Sequence, residues 1–194
     1  MEWSLPTTVE INGKKIKIRN KCDYRVVLDT IEILYDRELS QEQALICALY
    51  VFYDIPKKTK SVEADVFNVV KDINTATMEM LKIINLGEAP SNEERPRLVD
   101  WKRDFSLMAP PISRTLGYSV RDEKNFTHWY DFVGAYMEIG GECTFSHIIS
   151  IRHKRMKGKK LEKWEEEFYR ENRKMIDLPY NISPEDEDFL NFDI

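Results

Sequence analysis

The stretch VEADVFNVVKDINTATMEMLKIINLG, residues 62–87, decides the fold. Val62, Val66, Val69, Ile73, Ala76, Met80 and Ile84 recur at steps of three and four, the spacing that lines up side chains on one face of an α-helix. Gly87 follows as a C-terminal stop, so the pattern predicts one long helix from Val62 to Leu86. Burying its large apolar side chains, at about 1.5–3 kcal/mol each, gains on the order of 10 kcal/mol. Fixing the backbone costs more, at about 1–2 kcal/mol per residue. Such a helix persists only inside a packed bundle, which the rest of the chain must supply.

Toward the N-terminus, Val9, Ile11, Ile16 and Ile18 alternate with polar residues around Asn12-Gly13. Asn-Gly adopts the positive φ angles of a type I′ turn at little cost, so this segment reads as a two-residue hairpin. Asp23 caps a helix with Val27, Ile31 and Leu34 on one side. Ser40 and Gln43 have capping-box spacing ahead of Ala44, Leu45, Ala48, Leu49 and Phe52, and Pro56 ends that helix.

Toward the C-terminus, GEAPSNEERP makes 87–97 a hinge. Asp100 caps a helix with Trp101, Phe105 and Met108 inward, and Pro110-Pro111 is expected to break or kink it before Ile112–Leu116. Trp129, Phe132, Val133 and Tyr136 give a dense aromatic helix, and Gly140-Gly141 a turn. Thr144 opens a helix carrying Phe145, Ile148, Ile149 and Arg152. The last helix, from about Lys160 to Ile176, places Leu161, Trp164, Phe168 and Met175 on one stripe. The reading is mainly α (α+β): about six to seven helices with a small N-terminal β-hairpin. Residues 5–178 form one helical domain, and 179–194 a flexible acidic tail.

Composition agrees. Seven Gly and eight Pro are few for 194 residues, which disfavours sandwiches and barrels with their many tight turns. Three scattered cysteines without a CxxC pair give neither a disulfide framework nor a zinc site, and point to a reducing compartment. The opening MEWSLPTTVE lacks the basic-then-apolar order of a signal peptide, and no apolar run reaches the roughly 18 residues that span a bilayer. We therefore expect an intracellular protein without a membrane partner.

Catalytic signals are absent: no Gly-rich phosphate loop, no GxSxG and no HExxH. We expect no enzyme and no cofactor. His147 and His153 lie six apart, on different sides of a helix, which argues against a shared metal. Asp100 and Asp104 lie one turn apart and read either as a cation site or as a cap followed by a surface acid. Trp101, Trp129, Tyr130, Trp164 and Tyr169 read as core or as a stacking platform for bases.

Charge is the remaining signal. The chain totals −5, yet residues 152–163 carry +6 and residues 183–194 carry −5. Arg152, Lys154, Arg155, Lys157, Lys159 and Lys160 are candidate partner contacts, as are the aromatic pair Trp129 and Tyr130. The strip admits three readings: a solvated connector around Gly158, a polyanion grip with a steep salt dependence, or a dock for an acidic protein face. The last includes another copy of this acidic-bodied chain, strip against body, in an open spiral.

Four segments resemble one family in order. LPTTVEINGKKIKIRNKCDYRVVLDTIEIL, RLVDWKRD, THWYDFVGAYMEI and TFSHIISIRHKRMKGKKLEKWEEEFYRENRK are similar to the "gene product fifteen" family of tailed phages and prophages. Within it, Arg152, Lys157, Lys159 and Lys160 match a pattern of the form IR…KGKKL, and Trp129-Tyr130 matches an aromatic pair. The resemblance implies a tail assembly chaperone that binds the tape measure protein and keeps it soluble until the tail tube protein polymerises around it. It further implies self-association, action in the host cytoplasm, absence from the virion, and no catalysis. The rival reading is a small nucleic-acid-binding phage regulator using 152–163. Pro110-Pro111 departs from the expected continuous helix, and the tail lies outside the matched segments.

Overall fold

Alternating apolar residues and one Asn-Gly step build the first element. In the computed structural model, which describes residues 4–89 and 97–178, β1 (Thr8–Ile11) pairs antiparallel with β2 (Lys14–Lys17), in the register Val9 to Ile16. Asn12 and Gly13 take φ of 50° and 76°, the positive values of a type I′ turn. Val9, Ile11, Ile16 and Ile18 are buried as the alternation predicts.

Eight α-helices follow among the described residues: α1 (Tyr24–Leu34), α2 (Gln41–Phe52), α3 (Val62–Val69), α4 (Ile73–Ile84), α5 (Trp101–Leu116), α6 (Trp129–Met137), α7 (Thr144–Met156) and α8 (Lys163–Ile176). The fold is mainly helical, with the hairpin as its only sheet among the described residues. The tail 179–194 and residues 90–96 of the expected hinge lie outside the described residues.

Two compact units divide the chain. The first comprises the described residues up to 89 together with Phe126–Val133; the second comprises 97–125 together with 134–178. In the first, α1, α2 and α4 bury Val27, Ile31, Ala48, Leu49, Phe52, Ala76, Met80 and Ile84. The start of α6 joins this core: Trp129 is fully buried and donates its indole N–H to Ile84 O at 2.9 Å. His128 receives the Tyr130 amide on Nδ1, which leaves Nε2 to donate to Pro6 O at 2.9 Å.

Two helices depart from their expected outlines. The segment 62–86 is not one helix but α3 and α4, broken at Lys71 with φ +61°. Asp72 caps α4 through the Thr75 amide at 3.0 Å, and its other oxygen accepts from Asn12 at 3.0 Å. Lys14 reaches Val69 O at 3.3 Å, near the end of α3. Hairpin-tip side chains thus satisfy polar groups that the break would otherwise leave to solvent, while Val66, Val70, Ala76 and Met80 stay buried on both sides of it.

The second departure is α5, which runs unbroken through Pro110 and Pro111. A proline at position 110 removes the donor that Ser106 O needs. Arg121 supplies one from outside the helix, Nη2 to Ser106 O at 3.1 Å. Pro110 itself faces solvent, where its ring meets little resistance.

The break at Lys71 makes a prediction with a definite sign. Glycine in the middle of a continuous helix costs about 1 kcal/mol. At a left-handed residue it instead removes a steric cost of about 1–2 kcal/mol, less its own entropy of about 0.5–1. Lys71→Gly is therefore expected to stabilise the protein by about 0.5–1 kcal/mol in urea unfolding; destabilisation by a similar amount would mean the helix is continuous.

Candidate functional site

The basic strip starts on the buried face of a helix. Phe145, Ile148 and Ile151 form the apolar stripe of α7, and Arg152 lies one turn beyond Ile148 on that same face, 4% exposed. On α5 the stripe of Trp101, Met108 and Ile112 likewise includes a charge, Asp104, which is fully buried. The two meet. Arg152 Nη1 and Nη2 bind Asp104 Oδ2 and Oδ1 at 2.6 and 3.0 Å.

The guanidinium has five N–H donors and uses all of them. Nε donates to Ile176 O at 2.7 Å, Nη1 also to Leu98 O at 2.8 Å, and Nη2 also to Met175 O at 2.8 Å. Met175 and Ile176 end α8, where carbonyls have no partner within the helix. Asp104 in turn accepts the Asp100 amide at 2.9 Å at the start of α5. Asp100 is the cap, as expected, but Asp104 is neither a surface acid nor a metal ligand; its cation is Arg152.

The next two cations are also engaged by carboxylates. Lys154 Nζ binds both oxygens of Glu165 at 2.7 and 2.8 Å, joining α7 to α8. Burial raises the Glu165 carboxyl, but the Lys154 ammonium and the Glu162 amide outweigh burial and hold it below its ordinary value. Arg155 lies over the Tyr169 ring at 4.0 Å and pairs with Asp177, which Arg173 and Tyr169 also hold. Asp177 too sits below its ordinary value, its burial overcome by those three donors.

Consequently the expected stripe of α8 is rotated. Glu165 and Ile176 are buried, Leu161, Phe168 and Tyr169 half-buried, and Trp164 and Met175 exposed. The helix begins at Lys163, after a connector, because Glu162 and Glu165 form its capping box. Gly158 ends α7 with φ +61°, and the Lys159 amide reaches back to Lys154 O at 2.8 Å.

What remains is a smaller surface. Lys157, Lys159 and Lys160 are exposed on this connector, with no ion-pair partner among the described residues. Met156 and Trp164 flank them in sequence, 52% and 44% exposed. Arg152 is withdrawn from the candidate surface by burial, and Lys154 and Arg155 by their pairing. Trp129 belongs to the core and Tyr130 is half-buried, its hydroxyl pushed up to about 12 by burial and the neighbouring Cys22. Of the aromatics weighed as a stacking platform, Trp101 and Trp129 are buried and Trp164 is exposed.

The second unit also carries an open apolar groove of about 460 Å³, lined by Leu98, Tyr136, Met137, Phe145, Ile149 and His153 among others. Trp101 and Phe145 flank Tyr136, with ring centroids at 5.1 and 5.9 Å. Burial, reinforced by Asp104, pushes the Tyr136 hydroxyl up to about 12. Sequence reading missed this groove, because its lining comes from three separate segments.

The ion pairs make two predictions. Removing one partner of a buried pair leaves an unpaired charge, at a cost of about 3–5 kcal/mol. Arg152→Ala should lose that much in denaturant unfolding, and Arg152→Lys should recover little, because an ammonium has three donors and no fork. Lys160→Ala should stay within about 0.5 kcal/mol of the parent. The second concerns acid. Glu165 and Asp177 hold protons less tightly when folded than at their ordinary values of 4.5 and 3.8. Their stabilisation is complete above that range and is lost as pH falls through the depressed folded values. Thermal melts should decline below about pH 4.5, and Glu165→Gln should flatten part of that decline.

No helix among the described residues is long and apolar enough to cross a membrane. Neither a curated protein nor a solved structure matches the chain. One family does, described as Bacteriophage Gp15 protein, over residues 1–178, which takes in both units and the whole basic connector. The chain therefore belongs to the Bacteriophage Gp15 protein family and is a phage protein.

Proposed function

We propose that this phage protein is a tail assembly chaperone: it binds the tape measure protein and keeps it soluble until the tail tube protein polymerises around it. The family match over residues 1–178 carries the reading. It acts by binding, without catalysis or cofactor, in the host cytoplasm, and leaves before the virion is complete. Its partners are the tape measure protein, further copies of itself and the tail tube protein.

The surface chemistry supports a binding role. A long, aggregation-prone helical client offers apolar stripes flanked by charge. The connector offers Lys157, Lys159 and Lys160, which have no ion-pair partner among the described residues, beside exposed Met156 and Trp164. The same lysines suit the acidic body of another copy, since the 170 residues outside the strip and the final twelve sum to −6. For nucleic acid, the four exposed lysines Lys157, Lys159, Lys160 and Lys163, out of seven cations in the strip, give fewer phosphate contacts than its composition suggests, and hence a shallower salt slope.

Co-expression with the tape measure protein encoded by the same phage tests this. The expected result is a soluble tape measure protein that copurifies at low salt and is lost with Lys157→Glu/Lys159→Glu/Lys160→Glu. A tape measure protein that stays insoluble while nucleic acid copurifies would replace the chaperone by the regulator.

A further inference from the structure

The first unit carries a second set of lysines, and its fold gathers them at one end. Lys14, Lys15, Lys17, Arg19 and Lys21 give residues 14–21 a charge of +5 with no acid among them, and Lys57, Lys58 and Lys60 follow α2. Two contacts bring these segments together: Ile18 bridges Tyr53, and the Asp54 amide donates to Lys17 O at 2.9 Å. Arg19 reinforces the join by donating to the carbonyls of Val51, Tyr50 and Tyr53 at 2.8, 2.8 and 3.1 Å. The start of α1 and the end of α2 therefore lie at the same end of the unit.

Most of these cations are left to solvent. The hairpin alternation buries Ile16 and Ile18 and turns Lys15 and Lys17 outward. Lys21 is exposed within a left-handed run, Asn20, Lys21 and Cys22. Lys57, Lys58 and Lys60 are exposed on a loop that Asp65 pins by accepting the Lys58 and Thr59 amides. None of these six lysines has an ion-pair partner among the described residues. Glu10, Asp54 and Glu63 are exposed nearby, so six lysines stand against three acids.

The opposite end has the opposite sign. Residues 35–40 join α1 to α2, so the end of α1 and the start of α2 share the far end, about 16 Å away along eleven residues of helix. Asp36, Glu38 and Glu42 are exposed there, without an ion-pair partner among the described residues. With Asp29, Glu32 and Arg37, residues 29–42 carry −4.

We propose that copies of this chain associate head to tail through the first unit, the lysine end of one docking on the acidic end of the α1–α2 pair of the next. Both complementary faces belong to the same molecule, which commits the lysine end to a second copy. Because they lie at opposite ends of one helix pair, each docked copy leaves one face of each sign open, and the contact propagates. Exposed ion pairs are individually weak and screened by salt, so the contact is reversible. The inference rests on the self-association in the proposed function and deepens it: the hairpin end serves copies, and the connector lysines serve the client.

The test follows the mass of full-length protein by light scattering against concentration, before and after nuclease. It uses about 0.01 M and about 1 M salt, where the screening length is about 30 and 3 Å. At low salt the parent should grow past twice the chain mass, and at high salt return to a single chain. Lys15→Gln/Lys17→Gln/Lys57→Gln/Lys60→Gln and Asp36→Asn/Glu38→Gln/Glu42→Gln alter only exposed side chains, and each alone should stay single. Mixed one to one, they keep one intact contact and should stop at twice the chain mass. Lys157→Gln/Lys159→Gln/Lys160→Gln should assemble like the parent. A parent that stops at a dimer, a mixture that stays single, or assembly lost only with the connector variant overturns this contact and leaves self-association standing. A parent that stays single at every concentration, or whose excess mass nuclease removes, overturns both.

Discussion

An arginine sealed among apolar side chains has to find a partner for each of its donors, and Arg152 shows how far that requirement reaches. Its carboxylate comes from the first turns of α5 and its carbonyls from the segment before α5 and the last turn of α8. Moving any of these three pieces away strands the charge or some of the five N–H groups, which is costly in a low-dielectric interior. The pair also suits the helix ends it joins. A carboxylate sits near the positive start of α5 and a cation at the negative end of α8. Against an apolar pair of equal volume, such a bridge contributes little net stability. What it contributes here is register. Around it Ile148, Ile151 and Ile176 pack with half-buried Leu107 and Phe168, and the clamp fixes how they meet.

The consequence for function is a redistribution of the basic strip. Counted along the sequence, Arg152 to Lys163 is one feature with a charge of +6. In space, its first half holds the unit together, through Asp104, Glu165 and Asp177. The strip's other cations, Lys157, Lys159 and Lys160 on the connector and Lys163 at the start of α8, are exposed and have no ion-pair partner among the described residues. What the strip leaves outside is a set of exposed lysines beside exposed Met156 and Trp164. Screening by salt also acts mainly on these exposed lysines and far less on the buried pair. Binding can thus be sensitive to ionic strength while the fold is not.

Much of the fold is legible in the sequence alone. The hairpin at Asn12-Gly13, the caps Asp23, Ser40 and Asp100, and the burial of Ile31, Phe52, Met80 and Trp129 all follow from spacing and turn chemistry. The misreadings share one cause. At Lys71, a helix ends where local periodicity says it continues, and Asn12 and Lys14 from the hairpin satisfy the polar groups at the break. At Pro110, a helix continues where local rules say it stops, and Arg121 supplies the missing donor. At position 165 a glutamate takes a core position that the apolar stripe assigned elsewhere, because Lys154 neutralises it. At position 152 a cation assigned to the surface is core, because Asp104 is. In each case a side chain distant in sequence pairs a group that the local segment leaves orphaned. Propensity and periodicity describe a segment against water, so they fail where another segment replaces water as the partner. A charged residue on an otherwise apolar stripe is the visible trace of such a substitution, and two of opposite sign on separate stripes, as at Asp104 and Arg152, are best read as each other's partner.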